Sequence, residues 1–265
     1  MKKFIVILSL SCGGAFAQDA SVIKPINQDS LNVFTKAMLD EDASGYLKGY
    51  DTLIGESIPD ITAGKLISDY QGNELSADKK YKGKPVRIKT IASAIKSDVG
   101  GRGFIVANGK NAYSNAYLYV NEKDDRILSL NKGSKIDFIC YGDGMTLNTP
   151  MLKSCAFTSD FAKEVVGRVE GNIAKASDVN YKPQSQIEVR LVLTYKLYEP
   201  VIGDSCLKSG SECIKSFKSA SNVAKNGKGS PDDDKINLLK KEAEKYQELP
   251  TLPIDKKTAL LKLFE

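Results

Sequence analysis

Residues 84–157 read KPVRIKTIASAIKSDVGGRGFIVANGKNAYSNAYLYVNEKDDRILSLNKGSKIDFICYGDGMTLNTPMLKSCAF. Val86 and Ile88 alternate with Arg87 and Lys89, the period of a half-buried strand, over residues 85–96. The turn Asp98-Val99-Gly100-Gly101-Arg102-Gly103 leads into a second strand at 104–108, and 116–120 forms a third. Residues 122–130 read as a short helix, 136–141 as a fourth strand, 142–150 as a Gly- and Asn-containing loop, and 151–157 as a fifth strand.

Three strands, a helix and a two-stranded return are the order of an OB-fold, a small closed five-stranded barrel. A helix carrying Leu66, Ile67 and Tyr70 precedes it, capped by Asp60 or Thr62 and closed by Gly72-Asn73, with a linker at 74–84. The expected class is mainly β with α: the barrel, an N-terminal helical arm and an α+β C-terminal extension.

Outward from this centre the chain divides into a signal peptide (1–17), an acidic arm (18–61), the barrel domain (62–160), a strand-containing extension with a disulfide loop (161–218), and a linker with C-terminal helices (219–265). Lys2 and Lys3, the apolar run 4–10 and Ala15-Phe16-Ala17 before Gln18 have the three-part pattern of a secretory signal cleaved between Ala17 and Gln18. The apolar run is too short to span a membrane, and no later stretch qualifies. A periplasmic or secreted location is expected, with lipid anchoring through Cys12 as the alternative. In the arm, Ser30 caps a helix with Leu31, Phe34 and Met38, ending near Asp42, and 44–59 is loop.

After the barrel, a short helix is expected at 160–169. Ile187, Val189, Leu191, Leu193, Tyr195 and Leu197 then alternate with polar residues and predict a strand, paired with 167–174. Residues 219–234 read as a flexible linker, and 236–249 and 255–264 as amphipathic helices.

The chain has five cysteines, four of them beyond the signal. An even number in an exported chain reads as disulfides, with Cys140–Cys155 and Cys206–Cys213 favoured because each pair flanks a turn-rich segment. The alternative for Cys140 and Cys155 is two buried thiols. With no histidine among 265 residues, the usual general base and the commonest transition-metal ligand are missing. No Cys-x-x-Cys pair exists for zinc. No catalytic residue, metal or cofactor is therefore expected.

Charge is polarised along the chain: residues 18–78 hold eleven acids and four bases, residues 79–136 four acids and thirteen bases. That pattern fits an acidic arm folded over a basic face, or a basic face kept for an anion.

Leu66…Tyr70-Gln71-Gly72-Asn73-Glu74…Ala77-Asp78-Lys79-Lys80-Tyr81-Lys82-Gly83-Lys84-Pro85-Val86 resembles the opening of the bacterial tRNA_anti-like OB-fold domains. Leu130-Asn131-Lys132-Gly133-Ser134-Lys135-Ile136, Cys140-Tyr141-Gly142 and Leu152-Lys153-Ser154-Cys155 resemble its later half. Thr90 stands where the first strand often carries Gly, and Phe138 is bulkier than usual in the fourth. The resemblance implies an anticodon-binding ancestry, although many members look exported without a settled ligand.

OB-folds hold oligomers on their second and third strands, framed by two loops, here 97–103 and 142–150. Phe104, Tyr117 and Tyr119 could stack a planar or sugar ligand there, with Arg87, Lys89, Arg102 and Lys110 for anions. Set against this, alternating aromatics on strands usually cover a sheet face, and the lysines at 79–84 read as a solvated turn. The leading expectation is a non-catalytic binding module engaging an envelope protein or a small or oligomeric ligand. The alternative is nucleic acid or another polyanion bound through the basic strands.

Overall fold

A computed structural model describes residues 23–55, 58–111, 113–225 and 232–253. The signal segment with its Ala17–Gln18 cleavage point, Cys12 and the helix expected at 255–264 lie outside the described residues.

In chain order the elements are α1 (Gln28–Lys48), β1 (Asp60–Ile61), α2 (Ala63–Gly72), α3 (Glu74–Tyr81), β2 (Pro85–Ser97), β3 (Gly103–Asn108), β4 (Asn115–Val120), α4 (Asp125–Leu128), β5 (Lys135–Thr146) and β6 (Thr149–Phe157). Four helices follow: α5 (Thr158–Ile173), α6 (Gln186–Lys208), α7 (Gly210–Lys225) and α8 (Asp233–Glu244). Strands β2 to β6 close into the expected OB barrel. The order β2-β3-β4-β6-β5 returns to β2 through an antiparallel β2–β5 ladder, and β4 and β6 run parallel.

Inward residues obey the alternation that predicted them. Val86, Ile88 and Ala92 of β2 meet Ile105 and Ala107 of β3, Ala116, Leu118 and Val120 of β4, Phe138 and Cys140 of β5, and Leu152 and Cys155 of β6. Leu66, Ile67 and Tyr70 of α2 join the same cluster, as does Ile127 of α4. Cys140 and Cys155 are bonded inside the barrel, and Cys206 and Cys213 tie α6 to α7.

A second core lies outside the barrel, among α1, α5, α6, α7 and α8. Ile139 and Tyr141, which point outward from β5, and Ala156 of β6 belong to it, so the helices pack on this side of the barrel. Buried Glu199 accepts from the backbone N–H groups of Ile26 (2.7 Å) and Asn27 (3.2 Å), tying the start of α1 to α6.

The extension corrects the expectation: residues 186–208 form helix α6, not a strand, and of the stretch 167–174 expected to pair with it residues 167–173 lie in α5. Alternation was present in the sequence, but so was a helical stripe, Glu188, Val192, Tyr195, Glu199, Ile202 and Cys206, all buried. A helix packed against α1, α5, α7 and α8 is apolar on several sides, so a period of two appears within it by chance. The overlooked signal is Ser185-Gln186-Ile187-Glu188, a capping-box spacing. The Glu188 carboxylate accepts from the Ser185 hydroxyl (2.8 Å) and the Gln184 N–H (2.9 Å) at the start of α6.

Five boundaries also move. Asn27, not Ser30, caps α1, its side chain accepting from the Ser30 N–H at 2.9 Å. That helix continues to Lys48 and is stopped by Gly49 in the left-handed region (φ 85°). The linker at 74–84 is mostly helix α3, capped by Asn73, and 219–225 belong to α7. Residues 142–150 are two strands and a two-residue turn, Leu147-Asn148, both with positive φ. Gly142 signals contact rather than a loop: the chain at Tyr81–Lys82 crosses it, and a Cβ there would overlap the Tyr81 carbonyl.

The Cys140–Cys155 bridge closes a 15-residue separation, for which loop-closure entropy gives about 3 kcal/mol. The seven-residue Cys206–Cys213 separation gives about 2. Urea denaturation should show the Cys140→Ala/Cys155→Ala double variant less stable by at least the first figure, since it also loses packing in the barrel. Stability equal to the parent would contradict the bridge.

Candidate ligand-binding face

The helices cover the β5 side, and on the outer surface of β3 and β4 the β4 tyrosines reach solvent while Phe104 and Val106 of β3 are buried. Inward Ile105, Ala107, Ala116, Leu118 and Val120 force Phe104, Val106, Tyr117 and Tyr119 outward. The register sets Phe104 opposite Tyr119 and Val106 opposite Tyr117. The Phe104 ring centroid lies 4.8 Å from that of Tyr117 and 5.6 Å from that of Tyr119. Phe104 is buried beneath its neighbours, while the two tyrosines stay half-exposed.

Cations border this patch. On β2, Lys96 pairs in register with Phe104 and is exposed. Arg102 stands over Tyr119, its guanidinium carbon 4.9 Å from the ring centroid. The β2–β3 turn holds it there: Asp98 Oδ1 accepts from the backbone N–H groups of Gly100 (2.9 Å) and Arg102 (3.0 Å), and Asp98 Oδ2 from Arg102 Nε (2.9 Å). The Arg102 side chain and these N–H groups hold the Asp98 carboxyl below its ordinary range. On β6, Lys153 follows Leu152, the partner of Leu118, and forms an ion pair with Asp143.

Of the seven residues expected to touch a ligand, the structure brings four together: Phe104, Tyr117, Tyr119 and Arg102. Arg87 is a correction. It is only 1% exposed and sits between barrel and helices, with its donors taken up within the protein. Its Nε and Nη2 donate to the two Asp137 oxygens (2.8 and 2.6 Å), while Nη1 and Nη2 donate to the Tyr46 and Leu47 carbonyls at the end of α1 (2.6 and 3.3 Å). Lys89 is also displaced, next to Asp60 at 3.5 Å beside the arm. Lys110 lies in the β3–β4 turn, the opposite end of β3 from Arg102 and about 20 Å along the strand.

Lys96, Lys153 and Val106 were not foreseen. Lys96 was not legible from parity, which continues Val86, Ile88 and Ala92 to an inward 96: a bulge between Ala92 and Ala94 shifts the outward side of β2 by one residue, onto Ala94 and Lys96. A concavity of about 990 Å³ lies elsewhere, between α1 and α7, lined by Val33, Ala37 and Ile214 and by Lys36, Asp40, Glu41 and Lys218, which pair with one another. Among the described residues no His/Cys/Asp/Glu cluster could hold a metal ion, and no helix is long and apolar enough to cross a membrane.

The sequence profile of the tRNA_anti-like family matches residues 3–156, more than half the chain. The chain belongs to the tRNA_anti-like family. The match takes in the barrel and also the arm before it, so this tRNA_anti-like protein carries α5 to α8 as an addition beyond the matched region. No curated protein matches it. A solved structure that is similar is a protein of Klebsiella pneumoniae named "putative nucleic acid-binding lipoprotein", with 14% identity and a TM-score of 0.32. The likeness covers 39% of this chain and 94% of that one.

Burial penalises the Asp137 charge, but Arg87 and the Thr158 hydroxyl (2.6 Å) outweigh it and lower the carboxyl's pKa. A depressed folded pKa contributes stability above the unfolded value, about 3.9, that is lost as pH falls through the folded one. Melting temperature should therefore drop below about pH 4 in the parent. Arg87→Met should be destabilised by about 3–5 kcal/mol near neutral pH and lose part of that acid dependence. An Arg87→Met variant as stable as the parent would show that the pair does not join the two cores.

Proposed function

We propose that this protein is a non-catalytic binding module whose ligand lies across the outer face of β3 and β4. One observation carries the reading: Phe104, Tyr117 and Tyr119 form a single outward stripe on the side of the barrel that the helices leave open. Two half-exposed phenol rings over a buried third offer flat, partly apolar contact area at little conformational cost. The framework is rigid, because each ring stands on a strand whose alternate residues fill the barrel. An extended ligand with planar or sugar faces, or a partner polypeptide of the envelope, suits such a surface. Two disulfides favour an oxidising compartment, and we assign the module to the periplasm, exported by cleavage after Ala17.

A specific observation favours nucleic acid as the second reading: Lys96, Arg102 and Lys153 flank the rings. Single-stranded nucleic acids are bound by stacking combined with positive potential. Asp98 and Asp143 neutralise Arg102 and Lys153 in part, which keeps this reading second.

Crosslinking in an envelope fraction, with parent and Tyr117→Ala/Tyr119→Ala as paired baits, tests the module. The parent should retain a ligand or partner that the variant loses, while both unfold cooperatively, the variant at a somewhat lower temperature because Phe104 loses its cover. Equal recovery by both baits would place binding elsewhere. Anisotropy of labelled dT15 separates the two readings. If three phosphates are neutralised, affinity should fall about twentyfold between 50 and 200 mM salt. Binding that is absent or insensitive to salt would remove the nucleic-acid reading.

A further inference from the structure

We propose that the cavity between the end of α1, the loop after it and β1 is a second binding site, for a small organic cation bearing an ammonium or guanidinium group. Its volume, about 670 Å³, is within the range of small-molecule sites. Asp42, Asp51, Asp60, Tyr46, Tyr50 and Arg87 supply its polar and aromatic lining.

The four charged residues are not equivalent. Asp42 Oδ1 and Oδ2 accept from the backbone N–H groups of Leu53 (2.8 Å) and Ile54 (3.0 Å), so this carboxylate shapes the loop. Asp60 is more than half exposed, with Arg87 Nε at 4.0 Å and Lys89 Nζ at 3.5 Å, both loose contacts. Asp51 is exposed and forms no ion pair among the described residues. Arg87 does not make the site anionic in preference, because Asp137 neutralises it and the Tyr46 and Leu47 carbonyls occupy further donors. What remains open to a ligand is carboxylate.

Tyr46 supplies an independent observation. It is part of the cavity lining, the residue is 2% exposed, and its buried hydroxyl makes no hydrogen bond of good geometry among the described residues, with only the Arg87 guanidinium near it. Arg87 lies over the ring face, its guanidinium carbon 4.4 Å from the centroid. A buried hydroxyl with no partner costs folding free energy, and it is explained if a ligand donor completes it. Gly55 lets the loop pack closely beside the cavity: a Cβ there would stand 3.0 Å from Thr52 Oγ1 and 3.2 Å from the Tyr46 ring. The exposed Tyr50 ring offers a face to a cation at the mouth.

The full chain is titrated with cadaverine, with N-acetyl-lysine methylamide and, as the anionic control, with glutarate, by calorimetry and thermal shift. Saturable binding of cadaverine supports the site with a free amine as its source. Binding of the lysine derivative alone supports it with a peptide side chain as its source. Asp51→Asn/Asp60→Asn should weaken either by about tenfold or more, as the loss of charge-assisted hydrogen bonds implies. Tyr46→Phe should melt higher than the parent without ligand yet show a smaller ligand-induced shift, a pairing that a packing role for Tyr46 does not produce. No saturable binding of either amine, glutarate binding as well as they do, or full affinity in the Asp double variant overturns the proposal. The aromatic face on β3 and β4 is a separate surface, and its reading stands or falls on its own test.

Discussion

One buried guanidinium bridges the barrel and the helical layer. Arg87 leaves the outer side of β2 between Val86 and Ile88, which point into the barrel, and ends against the last turn of α1. It sits where the negative end of the α1 dipole, the Asp137 carboxylate and the Tyr46 ring converge. A buried charge without these partners would be costly. Its presence therefore specifies one arrangement of barrel against helices more than it adds net stability. Asp137 is fixed in turn by Thr158, the first residue of α5, so the same network orients the helix that follows the barrel.

The side that becomes a ligand face follows from this docking. Once α1 and α5 rest against β2 and β5, the outward Ile139 and Tyr141 enter the helical core, while the tyrosines of β4 and, beside them, Lys96 and Lys153 stay accessible. The rings on β4 stay half-exposed, and Phe104 is shielded by the rings themselves. Polarised charge along the sequence also acquires a structural meaning. Part of the acidic arm does fold over basic β2, as Asp60 beside Lys89 and Arg87 shows.

Strand parity made the barrel readable: Val86/Ile88 and Leu118/Val120 had to share an interior, and turns separated them. The same parity placed Phe104, Tyr117 and Tyr119 outside. It was silent on what covers an outside residue, which is a property of the whole fold. That is why Arg87, outward and basic like Lys96, was grouped with ligand-binding cations although it is buried under α1. The α6 segment failed for a different reason. Leu191, Val192 and Leu193 are all buried because neighbours crowd several sides of that helix, and an apolar run of that kind satisfies either period. Length and the Ser185…Glu188 spacing decide it. Glycine misled in one place, where Gly142 marks a backbone crossing within β5 and not a break in it.

Where the disulfides lie bears on how the free face is held. Exposed aromatic rings on a small barrel invite rearrangement, because their burial elsewhere would be favourable. Cys140 and Cys155 resist this from within, joining β5 to β6 one strand away from β4, which pairs with β6 from Tyr117 to Val120. Displacing Tyr117 or Tyr119 would require breaking a ladder whose next strand is covalently fixed. The second bridge acts on the other layer, closing the α6–α7 hairpin against which α1 rests. Each core thus carries its own staple, and Arg87 joins them, so the open face is held by covalent and electrostatic constraints on the strands behind it rather than by contacts of its own.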